Sequence, residues 1–293
     1  MIDERVKFVA IVGPTATGKT DLALQLAQLF NGEVVCADSR TIYRGMDIGT
    51  AKPTAAERAL VPHHLVDLVD PGERLSAAAF KQLAEAQIAD IAARGKLPLL
   101  VGGSGLYVDA VLFDYEFPRV SDPNVHERLE AMSDIQLLEL LLAKDPDGLE
   151  RVDRANRRRV IRAIETVDEV RQRRTEVRPQ TLVLGTTLNK EVVQQRVEQR
   201  IEKMLGEGFI DEVRVISEAY GWDSPAMEVI GYRAFKGLLL GTKTLEQAKA
   251  DFASGDMALY KKQVTWFKRN LSIRWVVSAG EAEQLVREFL SYT

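Results

Sequence analysis

Apolar residues fall first into short unbroken runs and later into a helical rhythm. Val6 to Val12 is apolar except for Lys7, Glu33 to Ala37 carries Val34-Val35-Cys36, and Leu97-Pro98-Leu99-Leu100-Val101 makes a third run. Runs of this length without alternation predict strands buried on both faces. Further strands are expected over 62–68 and Thr181–Thr187. Between them, Leu22, Leu24, Leu26, Ala27 and Leu29 predict a helix after Lys19. Another is predicted from Ser76, a plausible N-cap, to Ala93, with Phe80, Leu83, Ile88 and Ile91 inward. Around Pro118 the alternation stops. Helices are then predicted at Asn124–Met132, Asp134–Leu142 and Arg157–Arg173. After 181–187 the rest reads as helical: Lys190–Glu207, Ile210–Tyr220, Gly231–Leu239 and Thr244–Lys268.

Composition narrows the class. With 293 residues, 46% apolar and 28% charged, the chain can form a full α/β core plus an insertion. No apolar stretch approaches the roughly 18 residues of a membrane span, and the start, MIDERVK, has no apolar signal-peptide segment. A cytoplasmic protein with no membrane partner is expected. The lone Cys36, inside an apolar run, reads as a buried core thiol rather than a nucleophile. His63 and His64 are adjacent on a strand and so point to opposite faces, which favours hydrogen-bonded structural histidines over a shared metal.

The net charge of −4 gives no global footprint for nucleic acid, but a local patch suffices. Residues 151–178 hold ten arginines against five acids. Helical spacing sets Arg158, Arg159 and Arg162 opposite Val160, Ile164 and Val167, which suits a packed helix touching phosphates. Solvated arginines give the same pattern. The stretch 260–269 likewise mixes bases with aromatics, which fits either a phosphate-contacting surface or a core.

The first strand runs into Gly13-Pro14-Thr15-Ala16-Thr17-Gly18-Lys19-Thr20, a G-x-x-x-x-G-K-T loop opening a helix. This is the context a phosphate loop requires: backbone N–H groups and a helix N-terminus face an anion, Lys19 meets phosphate oxygens, and Thr20 offers a hydroxyl to Mg²⁺. Asp38 ends the second strand and so lies at the same edge, where open α/β sheets collect functional groups; a turn or capping role competes. Gly102-Gly103-Ser104-Gly105 makes a second tight turn there. The long loop 44–56 lies beside that edge, and Arg196 and Arg200 share one face of their helix. The expected fold is α/β, a P-loop NTPase-like, mostly parallel sheet with a helical insertion and a helical C-terminal part. Its divisions are 1–117, 118–180 and 181–293.

The chain resembles the tRNA dimethylallyltransferases (isopentenyltransferases). The resemblance rests on GPTATGKT at 13–20, ADSRTIYRGMDIGTAKP at 37–53, PHHLVDLVDP at 62–71, LVGGSGLYVDAVL at 100–112, RRVIRAIE at 158–165, EVIGYRA at 228–234 and KKQVTWF at 261–267. It implies transfer of a dimethylallyl group from its diphosphate to N6 of the adenosine 3′ of the anticodon (position 37), in tRNAs reading codons that start with U. It further implies Asp38 as general base and Ser104 in contact with substrate. Ser39, Arg40 and Thr41 would line the flipped base, and the phosphate loop with Lys19, Thr20 and Arg200 would hold diphosphate and Mg²⁺. Arg158, Arg159, Val160, Ile161 and Arg162, with His126, would touch tRNA. The expected partners are the anticodon arm and the donor, and a monomer is expected.

The sequence departs from the family pattern at Thr41, often Gln or Leu, at His126, where an Arg is expected, and at 256–260, where a T-R pair is replaced. The alternatives are a small-molecule kinase, a prenyltransferase acting on free AMP or ADP, and an RNA-binding P-loop protein without chemistry. A kinase leaves DSRTIYRGMDIGTAKP without a role. The basic insertion and the form D-I-G-T-A-K-P argue against a free nucleotide, and the non-enzyme reading leaves Asp38 unexplained.

Overall fold

The apolar runs become neighbouring strands of one sheet. The computed structural model describes residues 2–117, 123–167 and 173–292. In chain order the elements are β1 (Phe8–Val12), α1 (Lys19–Leu29), β2 (Gly32–Cys36), α2 (Ala55–Leu60), β3 (His63–His64), α3 (Ala77–Ala93), β4 (Leu97–Gly102) and α4 (Gly105–Leu112). Next come α5 (Pro123–Glu130), α6 (Asp134–Lys144), α7 (Gly148–Arg151) and α8 (Arg157–Glu165). The chain closes with β5 (Thr181–Thr186), α9 (Lys190–Gly206), α10 (Phe209–Tyr220), α11 (Ile230–Leu239), α12 (Leu245–Phe267), β6 (Ile273–Val276) and α13 (Ala279–Ser291).

Among the described residues six strands lie in the order β3-β2-β4-β1-β5-β6, and each pair is parallel. Central β1 is buried throughout, with Val9 opposite Leu99 on one side and Leu182 on the other. Period-two geometry splits its side chains between two cores. Phe8, Ala10 and Val12 pack with Phe80, Ile88, Val108 and Val111 of α3 and α4, whereas Val9 and Ile11 pack with Leu22 and Leu26 of α1 and Val286 of α13. Helices cover both faces, so the strand has no reason to alternate in polarity.

Two expectations are corrected. The strand foreseen over 62–68 stops after His64, because Leu65 (φ 62°) and Asp67 (φ 55°) turn into the left-handed region; the chain returns only through a bridge between Tyr43 and Val69. Nor is everything after residue 190 helical. Ile273–Val276 adds β6 at the sheet edge, a four-residue strand whose middle pair, Arg274 and Trp275, is exposed and so lacks the apolar continuity of the others. The helix expected over Arg157–Arg173 is seen from Arg157 to Glu165; residues 168–172 lie outside the described residues, as do 118–122, where the change at Pro118 was expected.

A third core joins α9, α10, α11 and α12 around Phe209, Tyr232, Phe235 and Phe252, and it receives the loop after β2 through Ile42 and Met46. Polar contacts fix that loop. Glu212 of α10 accepts the backbone N–H groups of Asp47 (2.8 Å), Ile48 (2.9 Å) and Gly49 (2.9 Å). Lys52, its side chain 1% exposed, donates to Tyr43 O, Asp47 and Asp67. At Gly49 a Cβ would stand 2.2 Å from the Phe209 ring. Much of the G-M-D-I-G-T-A-K-P block therefore builds the loop rather than performs chemistry.

The chain divides into two compact units, one of residues Met1–Asp114 with Thr175–Thr293 and one of Tyr115–Arg174. The second has its own core of Leu129, Leu137, Leu141, Val160, Ile161 and Ile164. Its capping box at Ser133 and Gln136 starts α6, and Arg157 ties α8 to Asp134 and to the carbonyls of Glu130 and Met132.

Candidate active site

The carboxyl ends of β1, β2 and β4 open into a cavity of about 660 Å³. Its walls are the loop from Thr15 to Thr20, the turn Asp38–Thr41, the turn Gly102–Tyr107, and Arg200, Leu259, Lys262, Gln263 and Trp266 from α9 and α12. Sequence reasoning placed the first three at one edge; the cavity brings them together.

The phosphate loop is built for close approach. Gly13 has φ 150°, and a Cβ there would lie 2.4 Å from Thr186 O at the end of β5. Below it the hydroxyls of Thr17 and Thr186 meet at 2.6 Å. Ala16 sits at φ 61°, a strained conformation for a residue with a Cβ, of the kind that clusters at functional sites. Gly18 (φ 87°) precedes α1 with no side-chain cap, so the first-turn N–H groups remain directed to an anion. Lys19 Nζ rests on Pro14 O at 2.5 Å. Burial pushes this ammonium down to about 8, with Asp38 opposing the shift and Arg200 and Arg40 adding to it. An anion beside such an amine would favour its charged form.

Thr20 lines the cavity and is exposed, and its hydroxyl makes no hydrogen bond among the described residues. No group of three or more His, Cys, Asp or Glu side chains suited to a metal is present among those residues. One hydroxyl beside a phosphate-loop sequence fits Mg²⁺, which keeps several waters and shares ligand oxygens rather than requiring an all-protein cage.

Asp38 Oδ1 accepts the Arg40 N–H at 2.9 Å, and Ser39 N–H donates to Ser104 Oγ at 2.8 Å. Ser104 thus ties the β4 turn to the β2 turn while α4 begins without a side-chain cap, giving the cavity a second open helix N-terminus. Thr41 is buried, its hydroxyl 3.4 Å from Asp38 O. Arg196 and Arg200 do share a face of α9, and both reach the phosphate loop: Nη1 of Arg196 donates to Ala16 O (3.4 Å) and Nη1 of Arg200 to Thr15 Oγ1 (3.1 Å).

Cys36 is buried, and that burial pushes its thiol up to about 12, far from a nucleophile's range. His63 pairs with Val61 O (2.8 Å) and His64 with Glu33 (2.7 Å), so each ring has a local partner.

In the second unit, Arg158 and Arg159 are exposed and Arg162 half-buried. Val160 and Ile161, which were expected among the tRNA contacts, are 2% and 1% exposed in the apolar core. Within 158–162 the arginines are the side chains that reach solvent. His126 Nδ1 is paired with Glu165 at 2.7 Å, and Glu165 also meets Arg162, so the histidine is engaged within the unit.

Sequence reasoning missed Gln263 and Asp256. Gln263 accepts the Thr15 N–H (2.8 Å) and donates to Gly103 O (2.8 Å), bridging the phosphate loop to the second turn. Asp256 is 0% exposed and pairs with Arg200. Its signal was available: Ala248, Phe252, Asp256 and Tyr260 follow one helical face, and an acid on an otherwise apolar stripe marks a buried charge.

Known proteins resemble the chain over most of its length. The IPP transferase family matches residues 41–270 and the isopentenyl transferase family residues 6–66. The tRNA dimethylallyltransferase of Roseiflexus sp. (strain RS-1) is 45% identical over 276 residues, covering 90% of each chain. That of Bacillus pumilus (strain SAFR-032) is 38% identical over 280 residues, covering 91% of this chain and 88% of its own. Among solved structures, the tRNA isopentenylpyrophosphate transferase of Bacillus halodurans superposes with a TM-score of 0.74 at 37% identity, over 98% of this chain and 96% of that one. A eukaryotic dimethylallyltransferase acting on tRNA gives a TM-score of 0.85 at 26% identity, over 97% of this chain and 79% of that one.

Proposed function

The chain belongs to the IPP transferase family, and from that premise we propose that it moves a dimethylallyl group from dimethylallyl diphosphate to N6 of an adenosine in tRNA, releasing diphosphate. The acceptor is the adenosine 3′ of the anticodon (position 37) in tRNAs reading UNN codons, and the enzyme acts as a cytoplasmic monomer. The observation that carries the reading is that the phosphate loop and Asp38 line one cavity. A diphosphate cradle beside a carboxylate is what an allylic transfer to an amine requires.

In the reaction N6 attacks C1 of the donor. The C1–O bond breaks and its electron pair leaves with diphosphate, while the N6 proton passes to Asp38. An allylic carbon tolerates cationic character, so the protein's main work is to align the partners and stabilise the departing anion. The N-terminus of α1, Lys19 and Arg200 hold that anion; Mg²⁺ at Thr20 would supply further charge to its oxygens. Asp38 accepts the proton, a contribution of about 10²–10⁴-fold. Ser39, Arg40, Thr41 and Ser104 border the base, which must leave its stack to reach the carboxylate. Arg158, Arg159 and Arg162 meet backbone phosphates of the anticodon arm.

The test offers labelled dimethylallyl diphosphate with unmodified tRNA, AMP and ATP in parallel. Mg²⁺-dependent label in tRNA alone supports the reading. Label in AMP moves the activity to a free nucleotide, and ATP hydrolysis without transfer returns the loop to a kinase role.

A further inference from the structure

Asp256 has no exposed surface and lies on the buried face of α12, one turn from Phe252 and from Tyr260. Oδ2 accepts from Arg200 Nη2, and Oδ1 stands 3.5 Å from Arg40 Nη1. Neither Asp256 Oδ1 nor Arg200 Nε has a hydrogen-bond partner among the described residues. That incompleteness is informative. A buried ion pair is a weak source of stability, and an apolar residue among Phe252 and Tyr260 would often serve the fold as well. Orphaned buried polar atoms call for an explanation beyond packing.

The explanation lies in what the two arginines do. Arg200 is gripped from both ends of its fork, by Thr15 of the phosphate loop and by Asp256. Its other cationic neighbours, Lys19 and Arg40, repel it, and both arginines act on Lys19 in the same sense. Asp256 is the counter-charge that offsets this repulsion. Arg40 has a second link: its backbone N–H holds Asp38 Oδ1.

We propose that Asp256 is a positioning residue, one buried carboxylate that presents Arg200 to the donor's diphosphate and steadies Arg40 beside Asp38 before either substrate arrives. This rests on the prenyl-transfer reading for the identity of the donor, though not for the presence of an anion site. The carboxylate also offsets the mutual repulsion of Lys19, Arg40 and Arg200, which share one cavity wall.

The test compares Asp256→Asn, which keeps shape and one acceptor, with Arg200→Gln and with the double variant. Binding of inorganic pyrophosphate with Mg²⁺ is read by calorimetry, alongside kinetics with dimethylallyl diphosphate and tRNA. Circular dichroism verifies folding, and Asp256→Ser is a second route if the amide variant does not fold. The expected result is a rise of about tenfold in the pyrophosphate Kd and the donor KM for Asp256→Asn, the size of one charge-assisted hydrogen bond. The tRNA KM stays within about twofold, and adding Asp256→Asn to Arg200→Gln costs little more. A folded Asp256→Asn protein that binds pyrophosphate as the wild type does, or fully additive effects in the double variant, would overturn the proposal. Failure of wild-type protein to label tRNA would instead strike the functional reading, while the pyrophosphate measurement would still judge Asp256.

Discussion

Ser104 and Ser39 are joined twice: Ser104 Oγ accepts the Ser39 N–H at 2.8 Å and donates to Ser39 Oγ at 3.0 Å. The pair ties the turn after β4 to the turn carrying Asp38, so the placement of the carboxylate depends on a hydroxyl 65 positions further along the chain. Ser104→Ala removes both bonds. Turnover is expected to fall about tenfold with the donor KM little changed, and stability by about 1 kcal/mol. Steady-state kinetics and thermal melts check this; a donor KM that rises in step with the loss of turnover would place Ser104 on the diphosphate instead.

Asp38→Asn should preserve the Arg40 N–H contact, since the amide oxygen still accepts, while removing the proton acceptor. The expected loss in kcat is about 10²–10⁴-fold. Pyrophosphate and tRNA binding, measured separately, should stay within a few fold. Near-normal turnover would exclude Asp38 as the base.

Burial pushes Lys19 down to about 8. The group is charged below that pH and neutral above it, and a bound diphosphate favours the charged form. The ratio of pyrophosphate affinities, wild type over Lys19→Met, should therefore be level below about pH 8 and fall above it by up to about tenfold per pH unit, with an extra proton taken up on binding by the wild type. Calorimetry in buffers of different ionisation enthalpy reads that uptake. Lys19→Met should abolish it.

Away from the site, Glu33 is 3% exposed and paired with Arg94 (2.6 Å), Lys96 (2.6 Å) and His64 (2.7 Å). The Arg94 hydrogen bonds chiefly hold its carboxyl well below the usual carboxylate range, burial opposing them and Lys96 and His64 assisting. A depressed carboxylate contributes stability that is present above the unfolded value, near about 4.3, and is lost as pH falls through the folded one. Glu33→Gln should lower stability at neutral pH by about 1–3 kcal/mol, since the partners are partly solvated. Melts from neutral pH down to about pH 3 should show a shallower acid decline in the variant; parallel curves would refute the assignment.

Arg158 and Arg159 are exposed on α8 opposite buried Val160 and Ile164. Replacing both by alanine should weaken tRNA binding and reduce the slope of log K against log salt by about 0.7–0.9 for each phosphate no longer neutralised. Pyrophosphate binding should not change. An unaltered slope would assign these arginines to solvent.

Much of the core was legible because buried parallel strands need continuous apolar runs, and β1, β2, β4 and β5 have them. Where that requirement relaxes, legibility fails. β3 is two residues long and is ended by left-handed backbone at Leu65 and Asp67, and edge strand β6 is half exposed. At the site, Asp38 and Ser104 could be placed because each sits just after a strand, where topology dictates position, and Lys19 because it opens the helix after a phosphate-loop spacing. Gln263 was not, since nothing local to α12 says that a glutamine will span Thr15 and Gly103.

By itself the sequence determined the buried strands β1, β2, β4 and β5, the long helices between and after them, the phosphate loop and the acid at the edge, because these depend on spacing between near neighbours. Tertiary structure decided what depends on distance in the chain. It brought Asp256 under Arg200 and turned a conspicuous loop motif into a scaffold held by Glu212 and Lys52. It also sent Val160 and Ile161 into a core while their arginine neighbours stayed in solvent. Local spacing fixes which face a residue shares, but only packing fixes what that face meets.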